Sequence, residues 1–82
     1  MRHVVLYHAA DCHLCEEAHA AITAVRAEHA FELSEIDITG DDRLEATYRE
    51  RIPVVAIDGE DVFEYIVDRP KLRRLVAPGD DL

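Results

Sequence analysis

The apolar residues of this 82-residue chain change their period repeatedly, and that alternation is the tightest constraint on what it can fold into. His3-Val4-Val5-Leu6-Tyr7 is a β-branched and aromatic run suited to a buried strand. From Leu14 the spacing becomes helical, through Ala18, Ala21, Ile22 and Val25. Phe31 to Ile38 then alternates strictly between apolar and polar residues, as a half-buried strand does. Interleaved strand and helix patterns select an α/β layer fold. A chain of this size buries roughly 60–65% of its unfolded surface. Its hydrophobic fraction of 49% suffices for one core, so residues 1–82 are expected to form a single domain.

The first strand is expected over about His3 to Tyr7, the first helix over His13 to Glu28 and the second strand over Phe31 to Ile38. Thr39-Gly40-Asp41-Asp42 breaks that strand and offers N-cap residues to a second helix reaching about Glu50, with Leu44 and Tyr48 as an i, i+4 apolar pair. Pro53 stops the helical pattern and Val54 to Ile57 follows as a third strand. Asp58-Gly59 is a strong hairpin signal leading into a fourth strand, Val62 to Ile66. Asp68-Arg69-Pro70 reads as a cap with proline in the first turn, opening a helix that carries Leu72, Leu75 and Val76. Pro78 and Gly79 end it, and the Asp80-Asp81-Leu82 tail is expected to fray.

The resulting order is βαβαββα. Right-handed crossovers predict that strands 1, 2 and 3 run parallel, with strand 4 antiparallel to strand 3. The sheet is then four-stranded and mixed, in the order 2-1-3-4, with helices on both faces. Strand 1 is central, and Cys12-His13-Leu14-Cys15 emerges at its carboxyl end, where ligands bind in open α/β sheets.

Eighteen acidic residues against nine basic ones give a formal charge of −9. That opposes nucleic acid or an anionic membrane as the main partner and reads chiefly as solubility. The first apolar run ends at His8, too short for a secretion signal, and nothing approaches the roughly 20 apolar residues of a membrane span. Two cysteines cannot build a multi-bridge secreted framework. A reducing cytosolic location is expected, where a lone Cys-x-x-Cys is redox-active or metal-binding.

The dithiol falls where a strand turns into a helix N-terminus, and free N–H groups with the positive dipole end there favour a thiolate. Cys15 shares a helix face with Ala18, Ile22 and Val25 and should be buried, whereas Cys12 lies nearer solvent. Cys12 is therefore the expected nucleophile and Cys15 the resolving thiol. A protonated His13 would add to thiolate stabilisation, while Asp11, Glu16 and Glu17 oppose it; Asp11 also reads as an N-cap. Ile52-Pro53 opens a strand after a helix–strand turn and would present the Ile52 backbone edge across from Cys12 to an extended substrate. Context alone leaves that peptide bond cis or trans.

Two other readings compete. Cys12, Cys15 and His19 form C-x₂-C-x₃-H, preceded by His8, and soft thiolates with imidazole suit zinc or copper(I). No second cysteine pair exists to close a four-thiolate site. Alternatively, the fold serves protein recognition through the Ile52-Pro53 edge without catalysis.

Val4-Val5-Leu6-Tyr7, Cys12-His13-Leu14-Cys15, the acidic strand end at Asp37 and Arg51-Ile52-Pro53-Val54-Val55, in that order and spacing, resemble a glutaredoxin-like protein of the thioredoxin superfamily, closest to its short bacterial members. The resemblance covers nearly the whole chain. It implies a thioredoxin-like fold, a thiol–disulfide oxidoreductase with Cys12 attacking and Cys15 resolving, and a cis Pro53. It implies substrate contacts from His13, Leu14, Ile52, Pro53 and Arg51, with Arg49 and Arg51 placed for a glutathione carboxylate and Asp68 for its amine. It further implies no tightly bound cofactor, glutathione as a candidate reductant, a disulfide-containing protein or glutathione mixed disulfide as partner, and a monomer. Relatives that share a [2Fe–2S] cluster between two chains would do so here through Cys12. The chain departs from glutaredoxins in two places. His13-Leu14 stands where they carry Pro-Tyr or Pro-Phe, and Tyr65-Ile66-Val67-Asp68 stands where they carry a Gly-Gly turn.

Overall fold

The computed structural model describes residues 1–77, so the Pro78-Gly79 helix stop and the tail expected at 80–82 lie outside the described residues. The elements are β1 (His3–His8), α1 (His13–Arg26), β2 (Glu32–Asp37), α2 (Asp42–Tyr48), β3 (Val54–Ile57), β4 (Glu60–Glu64) and α3 (Arg69–Val76). They form one four-stranded sheet in the expected order β2-β1-β3-β4.

β1 and β2 are parallel, with His3 opposite Glu32 and His8 opposite Asp37. β3 runs antiparallel to β1, with Tyr7 opposite Val54 and Val4 opposite Ile57. This corrects the expectation that strands 1, 2 and 3 are all parallel. The reason is the length of α2. Its seven residues span about 10 Å, whereas the six residues of β1 extend about 20 Å. So short a helix cannot return the chain to the far end of the sheet, and β3 starts where β2 finished. The reversal matters for function, because it brings Pro53 to the end of the sheet that carries Cys12.

β4 begins two residues earlier than expected and ends at Glu64 rather than Ile66. Asp58 and Gly59 both adopt positive φ, 53° and 88°, the geometry of a two-residue mirror-type turn. Pairing therefore resumes at once, with Ile57 opposite Glu60. At the other end Tyr65 turns left-handed, φ 68°, and leaves the ladder.

Asp58 also ties down the N-terminus. Arg2 Nη1 donates to its Oδ2 at 2.7 Å, and the His3 N–H donates to its Oδ1 at 3.0 Å. The Arg2 bond, ahead of the His3 N–H, holds the Asp58 carboxyl below its ordinary range. A carboxyl depressed in the folded state adds stability above its unfolded value, and that stability is lost as pH falls through the folded value. Asp58→Asn, which still tolerates the left-handed turn, should lower the urea midpoint at pH 7. The two proteins should converge as pH falls below the carboxylate range. A difference that persists in acid would assign the effect to the turn rather than the charge.

The core lies between the sheet and two helices. Val4, Leu6, Val55, Ile57 and Phe63 from the strands meet Ala18, Ile22 and Val25 of α1, Leu72 and Val76 of α3, and Phe31. Among the described residues no polar or charged residue is buried. α2 covers the opposite face, where Tyr48 stacks on Tyr7 with ring centroids 4.1 Å apart. Burial there, ahead of contacts with Tyr7, pushes the Tyr48 phenol up to about 12. Helices thus flank both faces of a sheet whose central strand ends at the dithiol.

Candidate active site

β1 ends at His8, and the chain turns through Asp11 in left-handed conformation, φ 58°, before Cys12 takes the extended N-cap conformation of α1. Cys12, not Asp11, is the cap. Its Sγ accepts a hydrogen bond from the Cys15 N–H at 3.1 Å, and its carbonyl accepts from the Glu16 N–H at 3.1 Å. A cap position that aims a helix N–H at sulfur favours charge on that sulfur once it is reduced.

Cys15 is 4% exposed, on the inner face of α1 with Ala18, Ile22 and Val25. Cys12 is half-buried. The two are joined by a disulfide with a Cα–Cα distance of 5.2 Å. That lies within the usual span of about 4.4–6.8 Å.

Cys12 stands between two clefts. One, of about 420 Å³, is lined by the Ala9–Cys12 turn, Ile38, Thr39, Glu45, Arg49 and Ile52. The other, of about 310 Å³, is lined by the same turn with His8, Cys15, Glu16, His19 and Glu35. Ile52 is half-buried and Pro53 fully buried; the peptide between them is cis, and the Pro53 carbonyl accepts from the Tyr65 N–H at 2.9 Å.

The remaining expected contacts divide. Arg49 lines the first cleft, but Arg51 does not. The Arg51 guanidinium is turned onto β4, donating to Glu64 Oε2 at 2.8 Å and Asp61 Oδ2 at 2.9 Å, and lies 5.4 Å from the Tyr48 ring centroid. Those two carboxylates raise its affinity for its proton further. Asp68 lines neither cleft; it caps α3, accepting from the Lys71 N–H at 3.0 Å. His13 is 80% exposed and holds Glu17 Oε2 at 2.9 Å, and Leu14 is exposed beside it on the outer side of the helix start.

Thr39, marked in the sequence only as part of a strand break, and Glu45, not marked there at all, also line the first cleft. The Thr39 N–H donates to Asp37 Oδ1 at 2.8 Å, which is the main reason the Asp37 carboxyl lies below its ordinary range. Glu45 Oε2 accepts from the Gly40 N–H at 2.8 Å. The signal was the break after the second strand, since a parallel β2 must end beside the end of β1.

The rival ligand set is not assembled. His19 Nε2 lies 3.4 Å from Glu35 Oε1. Among the described residues no three His, Cys, Asp or Glu side chains are grouped to hold a metal ion.

The Glutaredoxin-like domain matches residues 3–77. The chain belongs to the glutaredoxin-like family. Two solved structures are similar to it over nearly their whole lengths. Protein Ne2328 from Nitrosomonas europaea is 29% identical, with a TM-score of 0.79 over 93% of this chain and 92% of that one. Target protein XcR50 from X. campestris is 33% identical, with a TM-score of 0.75 over 92% of this chain and 99% of that one. A thioredoxin from Halobacterium salinarum, 21% identical with a TM-score of 0.66 over 92% of this chain and 71% of its own, shares the fold. No curated protein matches the chain. A thioredoxin-like fold with a Cys12–Cys15 disulfide gives this glutaredoxin-like domain a redox role in general terms.

Proposed function

We propose that this glutaredoxin-like chain is a dithiol–disulfide oxidoreductase in which Cys12 attacks a substrate disulfide and Cys15 resolves the mixed disulfide. One observation carries the reading. The two cysteines that close the disulfide are unequal, a half-buried Cys12 receiving a helix N–H on its sulfur and a Cys15 that is 4% exposed. The sulfur that is accessible and charge-stabilised attacks, and the sheltered one attacks only the bond formed beside it.

In the forward direction the Cys12 thiolate bonds to one substrate sulfur and the other leaves as a thiolate. The Cys15 sulfur then bonds to Cys12, releasing the second substrate thiol. Two electrons pass from the dithiol to the substrate. An extended substrate would lie in the cleft of Thr39, Glu45, Arg49 and Ile52, against the Ile52-Pro53 edge. Arg49, rather than Arg51, is the cation on hand for a carboxylate. Disulfide-containing proteins and glutathione mixed disulfides are the substrate classes proposed, with a cytosolic thiol such as glutathione restoring the dithiol. The chain would act as a monomer in the cytoplasm. Its charge of −9 disfavours nucleic acid and anionic membranes as partners, and among the described residues no helix is long and apolar enough to cross a membrane.

The test is a redox titration of the Cys12–Cys15 pair in defined glutathione buffers, read by mass on metal-free protein. A single two-electron transition is expected, near the glutaredoxin range of roughly −200 to −230 mV. Failure to form the intramolecular disulfide at any poise would overturn the dithiol mechanism.

A further inference from the structure

The second cleft beside Cys12 has no part in holding substrate as described, yet it is where Cys15 meets titratable side chains. We infer that His19, paired with Glu35, is the proton acceptor for the Cys15 thiol in the resolving step. This deepens the oxidoreductase reading and rests on it.

The need comes from burial. A thiol that is 4% exposed ionises reluctantly, because desolvation penalises the thiolate, and only the thiolate attacks a disulfide. A base beside it removes that obstacle. His19 follows Cys15 by one helical turn, the spacing that makes side chains neighbours, and both line the same cleft of about 310 Å³. Glu35 stands opposite Leu6 in the β1–β2 pairing. Leu6 belongs to the core beneath α1, so Glu35 projects on the α1 side. From there Oε1 reaches His19 Nε2 at 3.4 Å. Both side chains are half-exposed, 49% and 43%, so Glu35 acts on the ring through its charge, and a carboxylate beside the ring stabilises the imidazolium that forms.

His8 apart, the other ionisable groups on the cleft are poorer candidates. His8, two residues beyond Leu6 and so on the same side of the sheet, is the one rival imidazole, and His8→Gln is the control for His19→Gln. Asp11 lies in the turn before Cys12, and Glu16 adjoins Cys15 in sequence, about 100° around the helix from it. Carboxylates are also weak bases toward a thiol, whereas imidazole ordinarily titrates between about pH 5 and 8.

The step balances. The Cys15 S–H proton passes to the His19 imidazole. The Cys15 sulfur bonds to Cys12 Sγ, the bond between Cys12 and the substrate sulfur breaks, and the substrate leaves as a thiolate that takes up a proton from the imidazolium or water. The dithiol is oxidised by two electrons and the substrate disulfide reduced by two.

Stopped-flow reaction of the reduced protein with one equivalent of 5,5′-dithiobis(2-nitrobenzoate) separates the stages. The first thionitrobenzoate reports attack by Cys12, and the second reports resolution by Cys15. In His19→Gln and Glu35→Gln the second phase should slow by at least about ten-fold relative to the first near pH 7. The His19→Gln deficit should narrow as pH rises toward about 9, because hydroxide then takes the Cys15 proton more readily without the imidazole. A second phase indifferent to His19, or slowed equally at both pH values, would overturn the assignment while leaving the dithiol mechanism standing. A wild-type protein that releases only the first equivalent would instead sink the oxidoreductase reading, and this inference with it.

Discussion

Replacement of Cys12 by serine is expected to abolish disulfide reduction, whereas replacement of Cys15 is expected to leave a stable mixed disulfide on Cys12. The first effect should span several orders of magnitude, because a serine hydroxyl is not ionised near neutrality and cannot replace a thiolate. It should also be free of a folding artefact. Cys12 is the N-cap of α1 and accepts from the Cys15 N–H, and serine is among the preferred N-cap residues. The helix start that the cysteine organises is therefore kept while the nucleophile is lost. Cys15 differs, being 4% exposed on the inner face of α1. A serine hydroxyl there needs a buried partner, so Cys15→Ala should accompany Cys15→Ser. Both should accumulate a covalent adduct, read by intact mass, when offered a protein disulfide without added thiol. Full turnover in Cys12→Ser together with loss in Cys15→Ser would reverse the roles of the two sulfurs.

What could be read from sequence tracks the range of the interactions concerned. The caps at Asp41 and Asp68 depend on bonds to residues two or three positions away, and both were legible. So were the strand–turn–helix setting of the dithiol and the burial of Cys15, which follow from helical spacing alone. The direction of β3 was not legible, because it turns on whether the seven residues of α2 can cross the sheet. β4 escaped for a different reason. Glu60 and Asp61 carry no strand propensity, but on an edge strand polar residues are tolerated, and the two-residue turn forces them into register.

That slip of two residues in β4 also hid the ion pairs of Arg51. Its partners Asp61 and Glu64 are set by the hairpin register, so a strand placed at Val62 to Ile66 could not reveal that its charge is already engaged. The His19–Glu35 pair has the same character. Sixteen positions separate the two residues, and only the parallel register of β1 and β2 together with the rotation of α1 brings them to 3.4 Å. Charged side chains reveal their partners after topology is known, whereas apolar periodicity reveals topology in part before it.

The scaffold's dependence on that apolar core gives the second large expectation, which concerns α3. Leu72 is fully buried among residues of the sheet and α1. Leu72→Ala should cost about 2–5 kcal/mol, from lost transfer free energy and the cavity left behind. An 82-residue domain has roughly 4–12 kcal/mol of stability in total, so a large share would go. Arg73→Ala is the contrasting change on the same helix. It breaks the 2.7 Å pair with Glu28, whose side chains are 39% and 47% exposed, and exposed pairs contribute about 0–1 kcal/mol. Urea unfolding should show a large drop in midpoint for Leu72→Ala with an unchanged slope, and a small drop for Arg73→Ala. Equal shifts would mean that α3 is held by its charges rather than its apolar face. The redox site provides a second readout. Cys15 rides on the helix that α3 helps press to the sheet, so alkylation of the Cys15 thiol in the reduced protein should accelerate in Leu72→Ala in step with its lost stability. Acceleration without loss of stability would place the protection of the resolving thiol in local opening of the α1 start rather than in the shared core.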